Sequence, residues 1–273
     1  MKLGTNTIST VKLGTNQVQK VYLGTNEVWS SFDADAQAFF DRVTTAGGTL
    51  SATEKTAVNT LVIQMKTDGI WTKMKAIYPM VGASAAACAQ NLKSSSFTGT
   101  FTSGWTYAST GVTPTSAYMN TNYNPSVNGA LNSAHLALYS RTNNTGNYVD
   151  FGANPSGHFL TYNFGNYSSL NSSDSPVFSN LSTSDGMFIG SRTSSSEARF
   201  FHKGGSAIVS SRTSTSQPNL NLYLGSLNNN GSSTFGTNRE YTFASIGDGL
   251  TDTEAGNFYT AVQAFQTTLS RQV

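Results

Sequence analysis

From residue 70 to residue 250 the chain is a succession of short apolar runs cut at close intervals by Gly, Asn, Ser and Pro. The runs are Met74 to Met80, Gly99 to Tyr107, His135 to Arg141, Tyr148 to Gly152, His158 to Tyr162, Met187 to Arg192, Arg199 to His202, Ala207 to Ser211, Leu220 to Gly225 and Tyr241 to Ile246. β-Prone runs bounded by turn residues read as strands, and many short strands without intervening helices argue for an antiparallel sandwich or barrel.

Helical signals are confined to the two ends of this block. Ser51-Ala52-Thr53-Glu54 has capping-box spacing and opens a run in which Val58, Leu61, Val62 and Met65 share a face, stopping at Asp68-Gly69. Before it, Asp33 to Val43 carries Phe39, Phe40 and Val43 in a weaker helical pattern that ends at Gly47-Gly48, so the two make a helical hairpin. Thr251-Asp252-Thr253-Glu254 repeats the capping-box spacing, and Phe258, Val262, Phe265 and Leu269 form a stripe behind it. With helices on both sides of the strand block, its first and last strands are expected to be neighbours, with the helices packed together beside them.

The first thirty residues repeat a phrase every ten: Lys2-Leu3-Gly4-Thr5-Asn6, Lys12-Leu13-Gly14-Thr15-Asn16 and Tyr22-Leu23-Gly24-Thr25-Asn26. Gly and Asn tolerate the positive φ of a tight reversal, so the segment reads as a three-strand meander. Its strands carry apolar groups on both sides, and a meander this small is marginal alone in water. Leu3, Leu13, Val18, Leu23, Val28 and Trp29 are therefore the candidate oligomerisation or attachment residues, with a second copy of the same segment as the expected partner. The domain plan that follows is 1–30 β-repeat, 31–69 helical connector, 70–250 β domain and 251–273 closing helix packed on both.

Composition narrows the function classes. Only 11% of the 273 residues are charged and the net charge is +2, where ordinary soluble domains carry about a quarter charged residues. No Lys/Arg stripe runs along the chain, so nucleic acid is not expected as a partner. The single cysteine, Cys88, excludes an intrachain disulfide framework and reads as a small buried thiol. No apolar leader opens the chain and no run approaches the ~18 apolar residues of a membrane span, so neither secretion nor membrane insertion is expected. A neutral, hydroxyl- and amide-rich surface without an export signal suits a particle assembled in a cytoplasm and released by lysis.

Several segments resemble known proteins. Arg199-Phe200-Phe201-His202-Lys203-Gly204-Gly205, Ala207-Ile208-Val209, Leu220-Asn221-Leu222-Tyr223-Leu224-Gly225 and Ala244 through Glu254 resemble, in order and spacing, the second half of a concanavalin A-like (laminin G-like) jelly roll. Gly69 to Pro79, Leu138 to Asn143, Phe243 to Ala255 and the repeat Leu23-Gly24-Thr25-Asn26-Glu27-Val28-Trp29 are similar to virion proteins of tailed phages infecting Bacteroidetes, the crAss-like phages among them. The resemblance implies a mainly β protein, an antiparallel jelly-roll β-sandwich with a few flanking α-helices. It also implies a fibre or tail-associated virion component on the outer surface of the particle, attached to other virion proteins through the repeat. A trimer is the favoured assembly, by analogy with fibres.

Glycan binding is the sharpest functional expectation. Sugars are held by aromatic faces and planar donors, and the strand block supplies Trp105, Tyr107, Tyr139, Arg141 and Arg192, with bacterial surface glycan as the ligand. Trp105 fits a core position as well as a platform, and Tyr139 fits either face of its strand. Ser-Arg-Thr recurs at 140–142, 191–193 and 211–213, either lining up three guanidiniums or marking strand ends over which an Arg snorkels. Retaining hydrolysis needs paired carboxyls about 5 Å apart. Asp150, Asp174, Asp185, Glu197, Glu240 and Asp248 are isolated in sequence, as are His135, His158 and His202, so no enzyme, catalytic residue or metal site is expected. Calcium, used by many laminin G-like domains, would fall to Asp185 and Asp248. A decoration or assembly protein without a ligand, and a polysaccharide depolymerase, are the alternatives. An open concavity ringed by aromatic and Arg side chains marks the first reading, a filled one the second, and two carboxyls facing across a groove the third.

Overall fold

The computed structural model describes residues 2–3, 6–7, 11–18, 20–23, 26–30, 32–144, 146, 148–155, 157–160, 168–172, 181 and 183–273. The protein is a jelly-roll-like antiparallel β-sandwich with a helical layer on one side. The inner sheet runs in the order Ile208–Ser210, Ala198–His202, Gly186–Arg192, Ala134–Ser140, Tyr241–Gly247, Gly111–Pro114 and Trp105–Ala108, all antiparallel. Met74–Tyr78 also pairs with Tyr241–Gly247, so the first and last strands of the block are neighbours. The outer sheet runs Ser169–Leu170, His158–Leu160, Phe151–Asn154, Tyr223–Leu224, Met119–Asn120 and Thr100–Phe101. Its one parallel pairing joins Leu227–Asn229 to Phe151–Asn154.

Alternation along the inner strands assigns each side chain to one of two cores. Ala137, Tyr139, Met187, Ile189 and Phe243 face the helices, where Phe39, Val58, Leu61, Phe258 and Phe265 meet them. Leu136, Leu138, Phe188, Ala244 and Ile246 face the outer sheet, where Phe151, Leu222, Leu224 and Met119 close the sandwich. The inner sheet is thus buried on both sides, and the helical hairpin 34–67 shares a core with the closing helix. Both expected capping boxes are present, Ser51 with Glu54 and Thr251 with Glu254. Among the described residues, no helix is long and apolar enough to cross a membrane.

Two sequence expectations are revised by the geometry. The run Gly99 to Tyr107 is two strands, Thr100–Phe101 in the outer sheet and Trp105–Ala108 in the inner one, and the chain changes sheets at Gly104, whose φ of +98° suits glycine. The N-terminal repeat is three separate hairpins rather than one meander. Lys2–Leu3 pairs with Asn6–Thr7, Val11–Leu13 with Asn16–Val18, and Lys20–Leu23 with Asn26–Ser30. Each phrase pairs its Leu with the Asn three positions on, Leu3 with Asn6, Leu13 with Asn16 and Leu23 with Asn26, so each repeat pairs within itself. Leu13 and Leu23 are 79% and 74% exposed, Val18 is partly buried, and the side chains of Leu3, Val28 and Trp29 lie outside the described residues.

Phe265 is buried in the helix-facing core, edge-on to Phe243 at 6.4 Å between ring centroids. Phe265→Ala is expected to reduce stability in denaturant melts by about 3–5 kcal/mol; a loss under about 1 kcal/mol would mean that the closing helix is peripheral. His135 is buried on the inner sheet, its Nδ1 2.7 Å from Asp248 O and its Nε2 3.1 Å from Ser245 Oγ. A carbonyl only accepts, so Nδ1 carries the proton and the neutral ring accepts from Ser245. Burial pulls the pKa down to about 4 against the opposing pull of the Asp248 carbonyl. The unfolded chain therefore binds this proton first as pH falls. Stability should be full above pH ~6.5 and drop by about 3 kcal/mol by pH ~4. In pH-dependent melts, His135→Gln should remove that slope.

Candidate functional site

The residues expected to hold a sugar do not converge. Trp105 and Tyr107 sit two apart on the edge strand of the inner sheet, and both rings point inward onto Phe101, edge-on at 5.1 and 5.2 Å. Trp105 is 9% exposed and belongs to the sandwich core; burial also pushes the Tyr107 phenol up to about 12. Tyr139 is fully buried against the helices, where its hydroxyl donates toward Gln263 Oε1 (3.0 Å) and accepts from the Val273 N–H (2.9 Å). Arg141 pairs with Glu240 at 2.9 Å and donates from Nε to Arg271 O. Tyr139 and Arg141 therefore hold the C-terminal tail, together with the buried Arg271, which donates to the carbonyls of Met80, Pro79 and Thr242.

Arg192 is buried too, donating to the carbonyls of Leu170 (2.7 Å), Ser194 (3.2 Å) and Arg212 (2.9 Å). Of the three Ser-Arg-Thr triplets, one guanidinium is thus enclosed and another ion-paired, so they do not form a row. Tyr139 and Arg192 are removed from any ligand platform for the same reason: their polar groups are committed inside the fold.

Ionisable groups are committed in the same manner. Asp150 meets Arg239 at 2.5 Å and accepts from the Tyr241 hydroxyl, while Asp185 pairs with Lys203, Glu197 with Arg199, Glu240 with Arg141 and Asp248 with Lys75. Asp174 lies outside the described residues. His202 stacks on Phe188 and shares its Nε2 with Asp185 O, and the His158 side chain is not described. Among the described residues, no three His, Cys, Asp or Glu side chains come together as a metal site; Asp185 and Asp248 each face a lysine instead.

The outward face of the outer sheet carries a different constellation. Met119, Leu222 and Leu224 point into the sandwich, so strand alternation turns Tyr118, Asn120 and Tyr223 outward. Cross-strand register aligns Thr100, Asn120 and Tyr223 in one row. Tyr118 lies diagonally from Tyr223, and their rings stack with centroids 4.0 Å apart and planes 12° from parallel. Tyr223 is the inner ring, 7% exposed, and Tyr118 the outer, partly exposed one. Burial and the hydrogen bond to Tyr118 push the Tyr223 phenol up to about 12.

Beneath the stack, Gly225 turns the chain at φ +88° over the Trp105 ring, 3.1 Å from where a Cβ would stand. Gly225 also ties in the next loop, accepting from the Thr237 N–H at 3.0 Å; that loop carries Phe235, 47% exposed. Beside the rings Asn120 Oδ1 accepts from the Asn122 N–H, and Asn122 Nδ2 donates to Thr98 O and Thr100 Oγ1. Asn120 Nδ2 and Asn122 Oδ1 remain without partners among the described residues, a donor and an acceptor at the edge of an aromatic face.

Sequence reasoning does not single out Tyr118 and Tyr223, because Tyr118 directly precedes the two-residue strand Met119–Asn120 and nothing in the sequence pairs that strand with Tyr223–Leu224. Leu220 to Gly225 reads as a strand and its Leu222-Tyr223-Leu224 alternation sets Tyr223 apart from the two leucines, whereas around Tyr118 the only local signal is Tyr118-Met119-Asn120, too short to set a face.

No family model matches the chain and no curated protein matches it. Among solved structures it is similar to domain 4 of AbnA, a GH43 extracellular arabinanase from Geobacillus stearothermophilus, determined in complex with arabinotriose. The identity is 12%, the match covers 68% of this chain and 98% of that one, and the TM-score is 0.44. At that distance the likeness assigns no ligand to this chain.

Proposed function

We propose that this chain is a structural protein of a phage virion, a head or tail fibre component, whose sandwich binds host-surface glycan without cleaving it. The Tyr118–Tyr223 stack carries the binding half of this reading: an aromatic face with amide donors and acceptors at its edge is what a sugar ring requires, C–H groups on the ring and hydroxyls on the amides. The commitment of Asp150, Asp185, Glu197, Glu240 and Asp248 to cations supports binding over hydrolysis, since a hydrolase needs a carboxyl poised to give up a proton and a second free to attack.

The virion half rests on the resemblance in the sequence, on the low charge content, and on the repeated hairpins that present Leu13 and Leu23 to solvent. Those hairpins assemble the protein as a homo-oligomer, a trimer by analogy with fibres, and attach it to other virion proteins. Weak single sites then gain strength from several copies on one particle.

A second reading, a decoration or assembly protein without a ligand, is favoured by one observation. The helix-side face of the inner sheet, which a jelly roll could leave open, is filled by Phe39, Leu61, Phe258 and Phe265.

One experiment separates these readings. Full-length protein, a variant lacking residues 1–30 and Tyr118→Ala are compared for binding to host cells and purified capsule, with light scattering for assembly state and polymer length measured after incubation. The expected outcome is binding by the full-length protein, a smaller particle with weaker binding after the deletion, and a loss of about tenfold or more per site in Tyr118→Ala with unchanged melting. Polymer length should not change. Wild-type protein that binds neither cells nor capsule would favour the assembly role, an unchanged particle size after the deletion would remove the hairpins from assembly, and shortened polymer would point to a depolymerase.

A further inference from the structure

The platform is set in the least charged part of the molecule. No Asp, Glu, Lys or Arg occurs from Ser94 to Ser140, or from Thr213 to Asn238. Those two stretches supply Thr100–Phe101, Met119–Asn120, Tyr223–Leu224, Leu227–Asn229 and Ser232–Thr234, the strands that build and flank the stack. The carboxylate on the adjoining strand, Asp150, is buried and neutralised by Arg239. Ion pairs of the described residues lie elsewhere, on the helical layer and along the inner sheet, at Lys66–Asp33, Lys73–Glu254, Arg199–Asp252 and Lys203–Asp185.

A polyanionic glycan gains affinity from cations that neutralise its carboxylates or sulfates, and a basic face is the physical requirement for it. Among the described residues this face offers none. It offers the free side of the Tyr118 ring, the Asn120 Nδ2 donor and the Asn122 Oδ1 acceptor. A donor and an acceptor on one edge match two adjacent hydroxyls, one accepting and one donating, while the ring covers the C–H face of the same sugar. Resting on the glycan-binding reading above, we propose that the Tyr118–Asn120–Asn122 face selects neutral polymers of hexopyranoses with vicinal hydroxyls and discriminates against uronic-acid and sulfated polymers. Recognition without charge also makes binding insensitive to salt, because no ion pair is formed for ions to screen.

The test measures binding of the full-length protein to immobilised dextran and mannan, as neutral polymers, and to polygalacturonate and dextran sulfate, as acidic ones, each at low and at high salt. The expected result is binding to at least one neutral polymer that changes less than about twofold with salt, and binding to neither acidic polymer. Tyr118→Ala should lower the neutral affinity about tenfold, the loss of one ring contact, and Tyr118→Phe should retain it. Asn120→Asp, which replaces the free donor by a carboxylate at nearly constant shape, should also lower it about tenfold. Thermal melting of each variant confirms that the fold is retained.

Binding confined to the acidic polymers, or abolished by salt, while still lost in Tyr118→Ala, would overturn the neutral selectivity and leave the glycan-binding face intact. Neutral binding that survives both Tyr118→Ala and Asn120→Asp would overturn the assignment of this face. Binding to none of the four polymers would count against the selectivity and, where host cells and capsule are also not bound, against glycan binding itself.

Discussion

The inner sheet is apolar on both faces, and the rest of the molecule is arranged to satisfy that condition. Ala134–Ser140, Gly186–Arg192 and Tyr241–Gly247 are buried along their whole length, so alternate side chains need two separate partners. The outer sheet covers one face and the helices 34–45, 52–67 and 252–268 cover the other. Burial of this extent on both sides, at ~25 cal/mol per Å² of apolar area, is the dominant favourable contribution to folding. The same condition explains the tail: Arg271 crosses from the end of the closing helix to the carbonyls of Pro79, Met80 and Thr242 and fastens the helix to the sheet it covers. Guanidinium groups enclosed by carbonyls, at Arg192 and Arg271, also tie together segments distant in sequence.

Covering the inner sheet twice restricts where function can reside. A sandwich ordinarily has two outward faces, but here the helices occupy one of them, so among the described residues the outward face of the outer sheet is the one without a helical cover. Its strands are short, and among the described residues the Tyr118–Tyr223 stack is an ordered aromatic feature on that side. Charge is divided in a similar way among the described residues, with the partly exposed pairs Lys66–Asp33 and Lys73–Glu254 on the helical side and amides and hydroxyls beside the Tyr118–Tyr223 stack, the buried Asp150–Arg239 pair excepted.

How far the sequence could be read followed from how long each element is. The two capping boxes and the stripes behind them gave helix positions close to those observed, because a helical period repeats several times within 16 or 17 residues. The long inner strands were legible as strands, but their side-chain directions were not: with both faces apolar, alternation does not tell Tyr139, toward the helices, from Leu138, toward the outer sheet. That ambiguity placed Tyr139 and Arg192 among the sugar contacts when both are internal. In the outer sheet Thr100–Phe101 and Tyr223–Leu224 fall inside runs legible as β, but Met119–Asn120, which joins them, does not: it is held by register with its two neighbours rather than by propensity of its own. The decapeptide repeat is legible as β, yet Asn16–Val18 and Lys20–Leu23 pair in different hairpins, a division that strand propensity does not show.

The central claim is that closure of the inner sheet on both sides leaves the outer sheet's free face as the recognition surface. Amide hydrogen exchange of the full-length protein, with and without a saturating neutral polysaccharide, tests it most directly. The account predicts added protection in the segments around Met119–Asn120, Tyr223–Leu224 and the loop at Phe235, with exchange in the helices 34–67 and 252–268 unchanged. Protection that appears on the helical layer and leaves Tyr118 and Tyr223 unaffected would contradict it.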